Sequence, residues 1–288
     1  MSSPDLSEHA TRQNLKLRRK NMELTQLYSD LRESFEAISE VNRKLRAVNE
    51  ELEMHNKAQI EFINIAAHEL RTPTQSILGY CEMLEMFPER SEQYLERLSR
   101  NADRLYRLTS DLLDVTRIEI GMLRLNSADF NLIDTIREVV SDIRKKSYLI
   151  NDNADVGKAK PKFELTISSN PITVHADKDR IAQVLFNLMD NAIKFSNSGT
   201  ITVSTKLNVS NLVKVSVKDR GPGINPEIHS RLFQKFNTKS DKGIGLGLFI
   251  SKNIVEALGG TISGKNNKDG SGAMFSFTLP TVSTTSKK

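Results

Sequence analysis

The sequence predicts a multi-domain protein in which a coiled coil and a helical hairpin precede an α/β sandwich with a mixed sheet. Two observations support this fold class. Up to about residue 121, apolar residues recur in steps of three and four with almost no glycine. Beyond residue 122, short strand patterns alternate with amphipathic helix patterns and glycine-rich turns.

The first element is a long helix with a coiled-coil repeat. Its apolar seam alternates steps of three and four, with one skipped position at Ser34, and consists of Leu24, Leu27, Leu31, Ile38, Val41, Leu45, Val48 and Leu52. A seam of this period predicts a parallel dimer. The alternative, a basic helix that grips nucleic acid through residues 16–20, is disfavoured against an ordinary solvated face.

The same register continues toward a histidine. Phe62 and Ala66 stay on the seam, whereas His68 falls two positions beyond Ala66 and is expected to be solvent-accessible. Pro73 is expected to disturb the helix. After Pro73, a new apolar stripe containing Cys81 predicts that this thiol makes core contacts rather than forming a reactive site.

A second long helix is predicted after a break at residues 87–89, ending near Gly121. Its apolar positions are Leu98, Leu105, Leu108, Leu112 and Val115. A two-helix hairpin cannot bury such a stripe alone, so two copies are expected to form a four-helix bundle, which predicts a homodimer.

Composition narrows the protein class. The chain has 288 residues, 27% of them charged, a formal net charge of +5 and one cysteine. The five histidines show no metal-binding spacing, and no apolar stretch approaches the ~20 residues of a membrane helix. The expectation is a soluble, cytoplasmic chain without a disulfide and without nucleic-acid or membrane contact by these residues. A longer parent protein with a membrane anchor remains open.

Six strands and three helices are predicted after residue 122, with a polar surface loop at 151–162 and a frayed tail after Pro280. The strands are expected at 163–167, 172–175, 200–206, 213–219, 261–265 and 273–279, and the helices near 131–146, 178–195 and 246–258. This order predicts helices layered on a mixed sheet.

Three short patterns carry chemistry. Asn187, Asn191 and Lys194 form a polar row on one helix, suited to Mg²⁺ and phosphate, although an ordinary polar helix face remains open. Asp219 follows alternating valines on a buried strand face, where an adenine amino group would supply a donor; the alternative is a plain tight turn. Residues 243–247 are glycine-rich and run into a helix start, which favours phosphate.

In this order, the patterns resemble the catalytic domain of histidine kinases of the GHKL ATPase superfamily. The asparagine box is residues 187–195, the first glycine box 219–224, the phenylalanine box 232–236 and the second glycine box 243–248. Upstream, residues 62–73 resemble the phosphoacceptor motif of the dimerisation and histidine phosphotransfer domain. Two departures are Ile244, where threonine is frequent, and Thr74, where leucine is frequent.

The resemblance implies a dimerisation and phosphotransfer domain at 58–121 and an ATP-binding domain at 122–280. The apolar repeat predicts a signalling coiled coil before them, at 1–57, and the composition predicts a flexible tail at 281–288. The resemblance also implies that Asn191 coordinates Mg²⁺ with help from Asn187, that Lys194 meets phosphate, and that Asp219 binds adenine under a mobile lid at 224–242. The other implied ATP contacts are Gly221, Gly223, Ile224, Phe236, Gly243, Gly245, Leu246, Gly247 and Leu248.

The implied reaction is attack of the neutral His68 imidazole on ATP, with Glu69 hydrogen-bonding the ring and accepting its proton. The phosphoryl group then passes to an aspartate in the receiver domain of a response regulator, and Thr72 resembles the family's phosphatase determinant. Two alternatives remain: a GHKL-type ATPase that moves a dimer without phosphorylating it, and a coiled-coil scaffold with a degenerate pocket.

Overall fold

The structure of the chain is a computed structural model that describes residues 4–150, 161–196, 199–208, 211–236 and 244–282. Its elements are α1 (Pro4–Met86), a 3₁₀ turn (Pro88–Arg90), α2 (Ser91–Glu119), β1 (Ala128–Asn131), α3 (Leu132–Ile150), β2 (Lys162–Thr166), β3 (Thr173–Ala176), α4 (Lys178–Phe195), β4 (Thr200–Leu207), β5 (Leu212–Lys218), α5 (Pro226–His229), α6 (Gly247–Ala257), β6 (Ile262–Asn266) and β7 (Ala273–Pro280). The chain divides into two compact units, Met1–Asn64 and Ile65–Lys288.

The first unit is helical throughout its described length. It contains no glycine, and pairs such as Arg19 with Glu23 and Arg32 with Glu36 lie one helical turn apart, which supports an exposed helix. All eight seam residues from Leu24 to Leu52 are exposed in the single chain, Leu45 by 57% and Val48 by 59%. An apolar stripe of this length is therefore present and uncovered.

In the second unit, the expectation that Pro73 disturbs the helix is wrong, because α1 runs through this residue to Met86. Proline removes one backbone donor from a helix. Hydroxyl groups around it add bonds to carbonyls four residues back: Thr72 to His68 at 3.2 Å, Thr74 to Leu70 at 2.7 Å and Ser76 to Thr72 at 3.1 Å. The bonds made by Thr74 and Ser76 span the proline and join the turns on either side of it.

The predicted hairpin is confirmed, with α1 and α2 joined at residues 87–90. Tyr80 and Tyr94 stack with ring centroids 6.3 Å apart, and Arg97 donates to the Tyr80 hydroxyl at 3.2 Å. Cys81, however, is exposed, so the expected core position is wrong for the single chain. The other members of the predicted stripe, Ile77 and Leu84, are half-buried.

The α/β region is built on a five-stranded sheet of order β2-β4-β5-β7-β6. β2 and β4 are parallel and the other neighbours are antiparallel, so the sheet is mixed, as predicted. β1 and β3 form a separate antiparallel pair. All six predicted strands are present within two residues of their expected bounds, whereas β1 and the short α5 were not predicted.

The core of this region lies where α3, α4 and α6 pack on one face of the sheet. Val213 and Val215 of β5 are fully buried, as are Leu188 of α4 and Ile250 of α6. Asp177 caps α4 by accepting hydrogen bonds from the backbone N–H groups of residues 179 and 180.

The predicted surface loop lies mostly outside the described residues. In the described part of the chain, no helix has the length and apolar character needed to cross a bilayer.

Candidate nucleotide and phosphoacceptor sites

The polar row on α4 has different partners along its length. The Asn187 side-chain amide donates to the Gly247 carbonyl at 3.2 Å and to the Ser251 hydroxyl at 3.4 Å, which ties α4 to the start of α6. Asn191 is half-buried, and no hydrogen bond joins its side chain to another described residue. Lys194 lies 2.7 Å from Asp190, one turn away. The row thus contains one tethered amide, one unengaged amide and one paired cation.

Asp219 lies at the end of β5, where the predicted alternation brings it to the buried face. It is only 4% exposed. Its Oδ1 atom accepts hydrogen bonds from the backbone N–H of Gly221 at 2.8 Å and of Ala273 at 3.1 Å. Both hydrogen bonds that the Asp219 carboxylate accepts from described residues involve Oδ1, so Oδ2 is left to accept from a further donor. This arrangement suits the amino group of a base.

Two glycines allow the backbone to close around Asp219. A Cβ atom added to Gly221 would lie 2.5 Å from the Phe195 carbonyl oxygen, and one added to Gly272 would lie 2.2 Å from the Asp219 carbonyl oxygen. No side chain fits at these distances. The glycines that resemble a nucleotide-binding motif therefore have a local steric reason in this fold.

Two asparagines that sequence reasoning missed hold the same loop. Asn266 contacts the backbone of Ile224, and Asn267 contacts the backbone carbonyl of Asp219. Both lie where β6 meets the glycine-rich turn before β7. Two adjacent asparagines beside Asp269 and Gly270 signal a turn, but the sequence does not show which strand end the turn faces.

The start of α6 has no side-chain cap. Its N-cap residue, Leu246, provides no side-chain hydrogen bond to the first-turn N–H groups. Such groups carry partial positive charge and suit phosphate. Gly245 has a positive φ of 77°, and Leu246 is 2% exposed, so its side chain belongs to the core. The predicted contact Gly243 lies outside the described residues.

The phenylalanine box is anchored on the sheet and on α2. Leu232 is buried and packs where Gly264 of β6 leaves room, since an added Cβ there would lie 2.7 Å from Leu232 Cδ2. Lys235 forms an ion pair with Glu119 at the end of α2 and lies 5.5 Å from the centre of the Phe249 ring. Phe236 follows with a positive φ of 60°. The last six residues of the predicted lid, 237–242, lie outside the described residues.

His68 is accessible, as predicted, with 74% of its side chain exposed. Its Nδ1 atom lies 3.8 Å from Glu69 Oε1, which is longer than a hydrogen bond. The expected hydrogen bond between this pair is therefore not formed in this structure. Arg104 of α2 instead holds Glu69 Oε2 at 2.9 Å and so fixes the carboxylate beside the imidazole. The Thr72 hydroxyl bonds the His68 carbonyl one turn away.

Acidic residues on α2 face the α/β region. Asp114 is 2% exposed and accepts hydrogen bonds from Arg180 at 2.6 Å and from Gln183 at 2.9 Å. One turn before it, burial and the neighbouring Asp114 carboxylate raise the pKa of Asp111 to about 6, although Arg107 and Lys194 favour its charged form. Sequence reasoning missed this polar contact because its partners are more than 60 residues apart in the chain.

Two families match the chain. The family described as "Histidine kinase-, DNA gyrase B-, and HSP90-like ATPase" matches residues 176–283, and the "His Kinase A (phospho-acceptor) domain" matches residues 58–121. The chain is 30% identical over 271 residues to the sensor protein GacS of Pseudomonas syringae pv. syringae. That alignment covers 90% of this chain and 29% of GacS, so the chain spans less than a third of this relative.

Solved structures agree in fold. The histidine kinase AdeS of Acinetobacter baumannii is 30% identical, with a TM-score of 0.55, over 74% of this chain and 97% of that chain. The histidine kinase ThkA, solved in complex with the response regulator protein TrrA, is 29% identical, with a TM-score of 0.55, over 77% of this chain and 61% of that chain. Together with the two family matches, these similarities show that the chain belongs to the two-component sensor histidine kinases.

Proposed function

We propose that the chain is an ATP-dependent histidine kinase that phosphorylates itself on His68 and passes the phosphoryl group to an aspartate of a response regulator. One observation supports the proposal most strongly: two complementary groups occur in the same chain. The accessible His68 imidazole lies in the region that matches the phosphoacceptor domain, and the buried Asp219 carboxylate, which accepts backbone hydrogen bonds, lies in the region that matches the ATPase family. The family match supports ATP as the nucleotide. Mg²⁺ and the individual residue roles belong to the proposal.

The residues around Asp219 fit ATP. The proposed adenine contact is Asp219 Oδ2, because Oδ1 already accepts two backbone hydrogen bonds. Asn191 offers an amide oxygen without a described partner, and Asn187 keeps Oδ1 after its nitrogen bonds Gly247. Amide oxygens suit Mg²⁺, which would neutralise charge on the β- and γ-phosphates.

The proposed phosphate contacts are Lys194 and the start of α6. Lys194 would exchange its Asp190 partner for phosphate, and the uncapped N–H groups after Leu246 would face the same charge. Gly221, Gly223, Ile224, Phe236, Gly243, Gly245, Gly247 and Leu248 complete the proposed pocket lining.

At the phosphoacceptor, the neutral imidazole of His68 forms a nitrogen–phosphorus bond while the bond between the γ-phosphorus and the ADP oxygen breaks. The ring proton leaves to Glu69, whose carboxylate Arg104 holds nearby. The present distance of 3.8 Å between Nδ1 and Oε1 must shorten for this transfer. Catalytic hydrogen bonds are often long before substrate binds.

The proposed partners are a second copy of the chain and a response-regulator receiver domain. The exposed seam from Leu24 to Leu52 supports a parallel dimer, and the structure of ThkA with a response regulator supports the second partner. We also propose that Thr72 positions water for the reverse, phosphatase reaction. For this role its hydroxyl would leave the His68 carbonyl.

Two variants separate the proposed sites. We expect His68→Gln to abolish phosphorylation while ATP binding, measured by titration calorimetry, stays within twofold. We expect Asn191→Asp to weaken MgATP binding, because the variant changes the proposed metal ligand. The proposed site assignment would be wrong if both variants kept full phosphorylation.

A further inference from the structure

We propose that Asn266 and Asn267 are positioning residues of the nucleotide pocket. Their side chains, named here the amide clamp, hold the loop from Asp219 to Ile224 in the shape that receives the base. This inference rests on the proposed ATP site and adds residues that lie outside all four nucleotide-binding boxes.

Asn266 engages both polar groups of one backbone residue. The Ile224 N–H donates to Asn266 Oδ1 at 2.6 Å, and Asn266 Nδ2 donates to the Ile224 carbonyl at 3.0 Å. Ile224 is 7% exposed, so these groups have little access to water. The side chain therefore satisfies a donor and an acceptor that would otherwise be buried without partners.

The loop has little other backbone support. Among the described residues, no backbone-to-backbone hydrogen bond involves positions 220–224. The flanking ones join the Asp219 N–H to the Ala273 carbonyl at 2.9 Å and the Ile228 N–H to the Asn225 carbonyl at 3.1 Å. Besides those of Asn266, the side-chain hydrogen bonds that hold this loop among the described residues all involve Asp219. Its carboxylate accepts from the N–H groups of Gly221 and Ala273, and its carbonyl accepts from Asn267. The position of Ile224 thus depends mainly on one amide.

Gly223 shows how closely the clamp approaches. It has a positive φ of 83°, and an added Cβ would lie 2.7 Å from Asn266 Oδ1. A glycine is needed here both for the backbone conformation and for the space that the amide takes. The loop and the clamp are therefore fitted to each other.

Asn267 holds the other end of the loop. Its Nδ2 atom donates to the Asp219 carbonyl at 2.9 Å and to the Ser271 carbonyl at 2.6 Å. Its backbone N–H bonds the Gly272 carbonyl at 3.0 Å. The residue that carries the proposed adenine-binding carboxylate is thereby fixed through its own backbone.

A preset loop lowers the entropic cost of binding, because fewer groups must be ordered when the nucleotide arrives. The clamp contacts backbone that surrounds the proposed base site rather than His68 or the proposed phosphate contacts. Its loss should therefore weaken ATP binding and leave the rate at saturating ATP nearly unchanged. A general loss of folding would instead lower both the affinity for ATP and the rate at saturating ATP.

The test is Asn266→Ala in the full chain, with the Kd for ATP measured by calorimetry and the autophosphorylation rate measured at saturating ATP. We expect the Kd to rise about tenfold, since two buried hydrogen bonds are lost, with a rate within twofold of the native chain. The matched control is Asn208→Ala. That side chain accepts from the Leu212 N–H at 2.9 Å in the β4–β5 turn and should leave the Kd unchanged.

An unchanged Kd for Asn266→Ala, or an equal fall of affinity in the Asn208→Ala control, would overturn the clamp while leaving the kinase proposal intact. Absence of ATP binding by the native chain would overturn both. If Asn266→Ala does not fold, Asn266→Asp replaces it, because the carboxylate keeps the acceptor for Ile224 N–H and loses the donor. The Asp variant should still bind ATP more weakly than the native chain.

Discussion

Apolar side chains have opposite environments in the two parts of the molecule. In the α/β region, Leu188 and Val215 are fully buried, whereas in the N-terminal helix Leu45 and Val48 are more than half exposed. Both parts show regular apolar spacing in the sequence. Spacing therefore specifies which face is apolar but not what covers that face. The same chain covers it in the α/β region and leaves it exposed in the N-terminal helix.

The largest expected effect is on the self-contained core. Leu188→Ala should lower the free energy of unfolding by about 3 kcal/mol, because a large side chain leaves a cavity between α4 and its neighbours. Urea unfolding at two protein concentrations measures this loss of stability. For the transition in which the α/β region unfolds, the loss should be the same at both concentrations. A concentration-dependent loss would mean that this core needs a partner.

The exposed seam of the N-terminal helix should affect dimerisation rather than the stability of the α/β core. Leu45→Asp should weaken dimerisation about thirtyfold, or ~2 kcal/mol, because it places a charge in the proposed dimer contact. Sedimentation equilibrium measures the dimer Kd. Ala47→Asp adds the same charge outside the seam, at an exposed position, and should have little effect. Equal effects of the two variants would contradict the seam.

The polar contact between α2 and α4 should have an intermediate effect. Asp114→Ala should destabilise the chain by about 1.5 kcal/mol, because it leaves a mostly buried Arg180 guanidinium without its carboxylate. Glu36→Ala breaks an exposed pair in the N-terminal helix and should change stability far less. A double-mutant cycle with Arg180→Ala measures the coupling, and a coupling near zero would show that the contact contributes nothing.

The smallest effect depends on pH. The folded-state pKa of Asp111 is raised from 3.8 to about 6, so the folded chain keeps a proton that the unfolded chain has released. Stability should therefore fall as pH rises through this window. Asn has no charge to bury, so Asp111→Asn should be about 1 kcal/mol more stable than the native chain near pH 7.5 and equal to it near pH 4. Unfolding curves at both pH values measure the difference in stability between the variant and the native chain. The same difference at both pH values would contradict the prediction.

Much of this fold was predictable because periodicity reports local geometry. The buried side of β5, the start of α4 and the turn between α1 and α2 all follow from spacing and turn residues. The sequence did not predict that α1 continues through Pro73, because that depends on the surrounding helix and hydroxyl groups rather than on proline alone. It also did not predict β1, a four-residue strand that exists only through pairing with β3.

The candidate site was predictable only where its residues lie on one helix or strand. Side chains on one element, such as Asn187 and Asn191, could be placed together from their spacing. The amide clamp and the Asp114 contact could not, because each joins positions more than 40 residues apart through a fold that the pattern does not specify in detail.

The central claim is that His68 accepts phosphate from ATP. The most direct measurement is incubation of the native chain and His68→Gln with γ-labelled MgATP, followed by acid or alkali treatment. The proposal predicts label on the native chain that survives alkali and is lost in acid, as a phosphoramidate should be, and no label on the variant. Alkali-stable, acid-labile label that persists in His68→Gln, or no label on a native chain that binds ATP, would contradict it.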